Sequence, residues 1–99
     1  MTPEGKVKKK VAELLKKYGA YYFFPAMGAF GRAGIPDIVG CHSGQYFAVE
    51  CKAGKGKTTA IQEAEIEKIR KARGHAFVIN EENLDLLETY LKERHERYN

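Results

Sequence analysis

Gly34-Ile35-Pro36-Asp37-Ile38-Val39-Gly40-Cys41, the turn His42-Ser43-Gly44, and Gln45-Tyr46-Phe47-Ala48-Val49-Glu50-Cys51-Lys52 make up the stretch that decides the fold. Two runs that carry β-branched and aromatic residues flank this three-residue turn, the pattern of a β-hairpin. The spacing predicts strands over Ile35 to Cys41 and over Gln45 to Lys52. On the second strand Tyr46, Ala48, Glu50 and Lys52 share one face, and Phe47, Val49 and Cys51 share the other. Glu50 follows Asp37 by thirteen positions, so a tight hairpin returns the two carboxylates to one place. Lys52 then stands beside Glu50, because strand residues i and i+2 point the same way.

Outward from the hairpin the pattern alternates between helix and strand. Thr2-Pro3 reads as an N-cap followed by proline at the first helical position. Val7, Val11, Leu14, Leu15 and Tyr18 recur at helical spacing until Gly19. Tyr21 to Phe24 is an aromatic strand that ends at Pro25. Ala26 to Gly34 reads as a mobile Gly/Ala-rich loop carrying Arg32. Beyond the hairpin, Gly54 to Lys57 is a basic glycine loop, and a second helix is expected over Ala60 to Arg73, closed by Gly74. Ala76 to Ile79 is a fourth strand. Asn80 is expected to cap a last helix with Leu84, Leu87 and Leu91 inward. The order αβββαβα predicts an α/β fold: a mixed four-stranded sheet flanked by helices, plus a C-terminal helix. Strands one to three form an antiparallel meander, and a helical crossover delivers the fourth parallel to its neighbour.

Composition bounds the rest. With 99 residues, 43% of them hydrophobic and 30% charged, the chain is expected to be one folded domain over residues 1–99. No apolar run approaches the roughly 18 residues of a membrane span, and no charged-then-apolar signal opens the chain. The expected location is therefore the cytoplasm, the host's if a phage encodes the chain. The net charge of +4 is compatible with a polyanionic partner without specifying one. Cys41 and Cys51 form no CxxC pair, which leaves neither a disulfide framework nor a thiolate zinc site. His42, His75 and His95 share no ligand spacing, and each reads as a surface or loop histidine.

The hairpin carboxylates suit a hard divalent cation, which takes oxygen ligands and retains waters. Asp37 and Glu50 supply two carboxylates, and the backbone carbonyl of Cys51 runs past the same place. The Lys52 ammonium can orient an attacking water or neutralise charge growing on a phosphate. Such a set is fitted to phosphodiester hydrolysis that leaves a 5′-phosphate and a 3′-hydroxyl. Glu4 lies seven positions before Val11, within about 20° of it around the helix axis, so it too faces inward toward the metal; a first-turn acid placed for the helix dipole is the plainer reading. Gln62 can hydrogen-bond at the same site. Thr59-Ala60-Ile61-Gln62 also has the spacing of a capping box, and the two roles are compatible.

In this order, Glu4, Gly34-Ile35-Pro36-Asp37, Glu50-Cys51-Lys52 and Gln62 resemble the PD-(D/E)XK nuclease superfamily. They are most similar to its virus-type replication-repair branch, the VRR-NUC domain, whose stand-alone members are typical of phages. Gly74-His75-Ala76-Phe77-Val78 looks like that family's return to its last strand. The resemblance implies the restriction-endonuclease-like αβββαβ core, Mg²⁺ or Mn²⁺ as cofactor and DNA as substrate. It further implies a homodimeric resolvase of four-way (Holliday) junctions acting in DNA repair. A C₂ dimer would supply the two sites that symmetric cutting needs, joined through Tyr21-Tyr22-Phe23-Phe24 or through Leu86 and Tyr90. Arg32, Lys55, Lys57 and Lys10 are the candidate phosphate contacts, with Lys6, Lys8 and Lys9 crowded onto the same first helix as Lys10.

Two other activities stay open: a flap or single-strand nuclease, and a DNA-binding module without catalysis. Gly54-Lys55-Gly56-Lys57-Thr58-Thr59 imitates the end of a Walker A loop. That pattern needs glycine where Cys51 stands, so no nucleotide cofactor is expected.

Overall fold

Ser43 and Gly44 both adopt left-handed backbone conformations, with φ of 48° and 80°. Two successive residues of this kind make the two-residue turn that matches the twist of a β-hairpin. A computed structural model describes residues 1–26 and 32–98 of the chain. In it the turn joins β2 (Ile38–His42) to β3 (Gln45–Cys51), with register His42↔Gln45 and Ile38↔Val49. The tight turn claims only two residues, so His42 closes the strand instead of lying in the turn.

α1 (Pro3–Lys17) starts as expected, with the Thr2 hydroxyl accepting the Gly5 N–H at 2.9 Å and proline in the first turn. β1 (Tyr21–Phe23) pairs antiparallel with β2. α2 (Ala60–Lys71) crosses over to β4 (His75–Ile79), which pairs parallel with β3 in the sheet order β1-β2-β3-β4. α3 (Leu84–Tyr98) completes the chain. The α/β fold and its mixed four-stranded sheet are therefore as the sequence pattern predicts. The expected loop over Ala26 to Gly34 falls largely outside the described residues.

The alternation of β3 organises the layers. Phe47, Val49 and Cys51 are buried against Val7, Val11 and Leu15 of α1, Leu87 and Leu91 of α3, and Ile38 and Ile79 of the sheet. The opposite face, carrying Tyr46, Ala48 and Glu50, meets α2, whose Gln62 side chain reaches Glu50. This division places the functional candidates of β3 between sheet and α2, off the main core.

Several expectations are corrected by the structure. β2 begins at Ile38, so Ile35 to Asp37 precede the strand instead of opening it. α2 stops at Lys71, and Arg73, expected to be its last residue, takes a φ of 73° in the closing turn. Asn80 does not cap α3. Its side chain accepts the Glu82 N–H at 2.8 Å in a local turn, while Asn83, immediately before the helix, accepts the Asn80 N–H at 2.7 Å. His42 is a core histidine at 3% exposure, its ring hydrogen-bonded to the Leu91 carbonyl at 3.0 Å, and so departs from the expected surface role.

Candidate active site

The chemistry gathers where β2 and β3 part. Ile38 pairs with Val49, so Asp37 and Glu50 would form the next rung, but the ladder ends before it. The Cys51 N–H therefore has no strand carbonyl on its β2 side. The Asp37 carboxylate takes that place, accepting the bond through Oδ2 at 2.8 Å. The carbonyl of a strand residue points to the same edge as its N–H, so the Cys51 carbonyl also faces the Asp37 side. On the other edge the Lys52 N–H donates to the Ile79 carbonyl at 2.9 Å, which anchors the end of β3 to β4.

Buried Pro36 fixes the approach to Asp37, and Gly34 makes that approach possible. Gly34 has φ of 81°, and a Cβ there would lie 2.7 Å from the Ile61 carbonyl oxygen. The Gly-x-Pro-Asp segment is thus pressed against the first turn of α2, which is why that helix and Asp37 share one site.

Three carboxylates converge. One oxygen each from Glu4, Asp37 and Glu50 lies within 4.8 Å of the others. Glu4 comes from the first turn of α1, as its inward periodicity predicts. Glu50 is only 3% exposed. Burial, and then the nearby Asp37 carboxylate, push its carboxyl group up to about 7 from an ordinary 4.5, against the opposing pull of the Lys52 ammonium. A crowded, partly dehydrated cluster of acids is the donor set a hard divalent cation neutralises. Glu4, Asp37 and Glu50 thus fit such an ion.

Two cations and an amide frame the cluster. Lys52 Nζ stands 3.4 Å from Glu50 Oε2, its side chain largely enclosed. Gln62 Nε2 donates to the same oxygen at 3.1 Å. The other end of that amide, Oε1, accepts the Thr59 N–H at 2.9 Å, and the Thr59 hydroxyl accepts the Gln62 N–H at 3.2 Å. Both readings of Gln62 hold at once: it caps α2 and holds Glu50. Lys8 Nζ lies 3.4 Å from Asp37 Oδ1. The Cys51 thiol is pushed up to about 12 by burial and by the adjacent carboxylates, so it stays protonated and unreactive.

The candidate phosphate contacts are dispersed. Lys55 and Lys57 are exposed on the loop that follows β3. Arg32 is engaged by Glu65, Nη2 to Oε2 at 3.3 Å, although its own side chain remains 72% exposed. Lys10 is not brought to the carboxylates; it lines a separate groove between α1 and α3 with Glu13, Asp85 and Glu88. Two residues were not singled out from sequence. Lys8 was one of a run of lysines, yet its position one turn after Glu4 placed both on one helix face. Glu65, buried at 6% exposure beneath Arg32 and Lys68, carries no local signal, since its main partner is 33 positions away.

A family model described as archaeal Holliday junction resolvase (hjc) matches residues 5–98. None of the curated proteins compared with the chain matches it. The matched segment contains Asp37, Glu50, Lys52 and Gln62 and begins one residue after Glu4, whose place in the cluster rests on geometry.

Proposed function

Because the chain belongs to the archaeal Holliday junction resolvase family, a family of PD-(D/E)XK-type nucleases, we propose that it is a Mg²⁺- or Mn²⁺-dependent endonuclease of branched DNA. The observation that carries this reading is the meeting of Glu4, Asp37 and Glu50 oxygens within 4.8 Å, with an enclosed lysine on Glu50. A module that only bound phosphate would gain nothing from clustered carboxylates.

The residues divide the work. Glu4, Asp37 and Glu50, with the Cys51 carbonyl, would hold the cation. When bound, that ion supplies positive charge at the phosphate and lowers the pKa of water for attack on phosphorus. Lys52, held at Glu50 with little exposure, orients the attacking water and offsets charge developing on the phosphoryl oxygens. Gln62 fixes the rotamer of Glu50, and the Cys51 N–H fixes that of Asp37. The expected products carry a 5′-phosphate and a 3′-hydroxyl.

A single site cuts one strand. Symmetric resolution of a four-way junction needs two sites related by a two-fold axis, which a homodimer supplies. Exposed Tyr21 and Phe23 on the edge strand, with exposed Phe24 just beyond it, support an interface there. The order Gly-x-Pro-Asp, Glu-x-Lys and helix glutamine supports placing the chain near the VRR-NUC branch. We take residues 1–99 as one nuclease domain acting where the DNA is, in the host cytoplasm if a phage encodes it.

The test is cleavage of a labelled four-way junction in Mg²⁺ or Mn²⁺, with matched flap and duplex substrates and a Glu50→Ala control. Paired symmetric nicks that vanish in the variant are expected. Cutting confined to flaps would discard the resolvase and keep the nuclease. DNA binding with no metal-dependent cutting of any substrate would overturn the enzyme.

A further inference from the structure

Lys8 stands out on three counts. Its ammonium is 3.4 Å from Asp37 Oδ1, whose partner oxygen Oδ2 is already committed to the Cys51 N–H. It rises from α1 one turn after Glu4, so its stem runs beside a second carboxylate of the cluster. It also borders an open cleft of about 600 Å³ between the start of α1 and the loop leaving β3, lined by Glu4, Gly5, Ala53 and Gly54.

We propose that Lys8 is a substrate-phosphate contact parked on Asp37 in the free protein, so that a divalent cation and Lys8 compete for Asp37 Oδ1. The inference rests on the nuclease reading above. Lys52 is enclosed, with a side chain 13% exposed, whereas that of Lys8 is 39% exposed. The inner ammonium can stay at Glu50; the outer one can swing on its four-carbon stem. Once a cation neutralises Asp37, the Lys8 ammonium loses its counter-charge and faces the cleft. A DNA phosphate lying along that cleft then becomes its partner. Lys8 thus links loading of the site to grip on the strand being cut, without itself transferring a proton.

The experiment compares wild type, Lys8→Met and Lys8→Arg, with Lys16→Met as a control at the far end of α1. Mn²⁺ affinity of the DNA-free protein is measured by calorimetry. Junction affinity is measured against salt concentration, in Ca²⁺ to prevent cutting. Lys8→Met is expected to tighten Mn²⁺ binding about fivefold, the size of losing one partly exposed ion-pair competitor. It should also lower the slope of log K against log salt by about one. Lys8→Arg should retain the wild-type slope. Wild-type values of both quantities in a folded Lys8→Met protein would overturn the proposal and leave the nuclease standing. No Mn²⁺ binding by the wild-type protein would overturn the nuclease reading and this inference with it.

Discussion

At the residue scale Glu50 governs the pH response. Its folded pKa of about 7 lies above the unfolded 4.5, so the native state holds a proton the unfolded chain has lost. Bound protons then favour the native state, and stability from this group falls as pH rises between those values. Thermal melts in EDTA should show this decline, Glu50→Gln should remove it, and added Mg²⁺ should restore stability above neutrality. Gln62 allows a second separation. Thr59→Ala and Gln62→Ala each remove part of the same capping box, a loss of about 1 kcal/mol in chemical denaturation. Only Gln62→Ala also frees Glu50, and junction-cutting rates should fall about 10- to 100-fold in that variant alone. These residues were legible because strand parity and helical periodicity are local rules. Glu50 and Lys52 had to share a face, and Glu4 had to point inward. Lys8 is hidden in a lysine run, and the ion pair of Arg32 with Glu65 is not legible because its partner lies 33 positions away.

At the scale of elements the segment before β2 is the sensitive part. Gly34 has positive φ and touches α2 backbone, so Gly34→Ala combines strain with overlap. A loss of about 2 kcal/mol is expected in denaturant titration, with cleavage falling further than stability explains because Asp37 is displaced. The order of elements was readable, since hydrophobic period switched cleanly between helix and strand. Boundaries were not, because they depend on partners. β2 starts late because Asp37 serves the Cys51 N–H instead of the ladder. His42 enters the strand because the turn takes only Ser43 and Gly44, and its burial is decided by α3, whose packing no local pattern encodes. Asn80 had the right chemistry for a cap, but Asn83 stands next to the helix.

At the scale of the whole molecule the β1 edge of the sheet is where a second copy is expected to join. Tyr21, Phe23 and Phe24 are 69%, 49% and 53% exposed on or beside a three-residue edge strand. Light scattering should report twice the 11.2 kDa chain mass. Phe23→Glu should return it to one copy and replace paired cuts in a junction with single, uncoordinated nicks. The aromatic run was visible in the sequence, but its exposure was not, since an aromatic strand serves equally as core. The three carboxylates come from the start of α1, the approach to β2 and the end of β3, and the Gln62 amide couples this assembly to the first turn of α2. One end of that amide holds Glu50 and the other holds the Thr59 N–H, so neither can be released without disturbing the other. The Thr59 amide proton thereby becomes a gauge of the centre: its exchange with solvent slows or quickens with what Glu50 is doing, in a protein that need never meet its substrate.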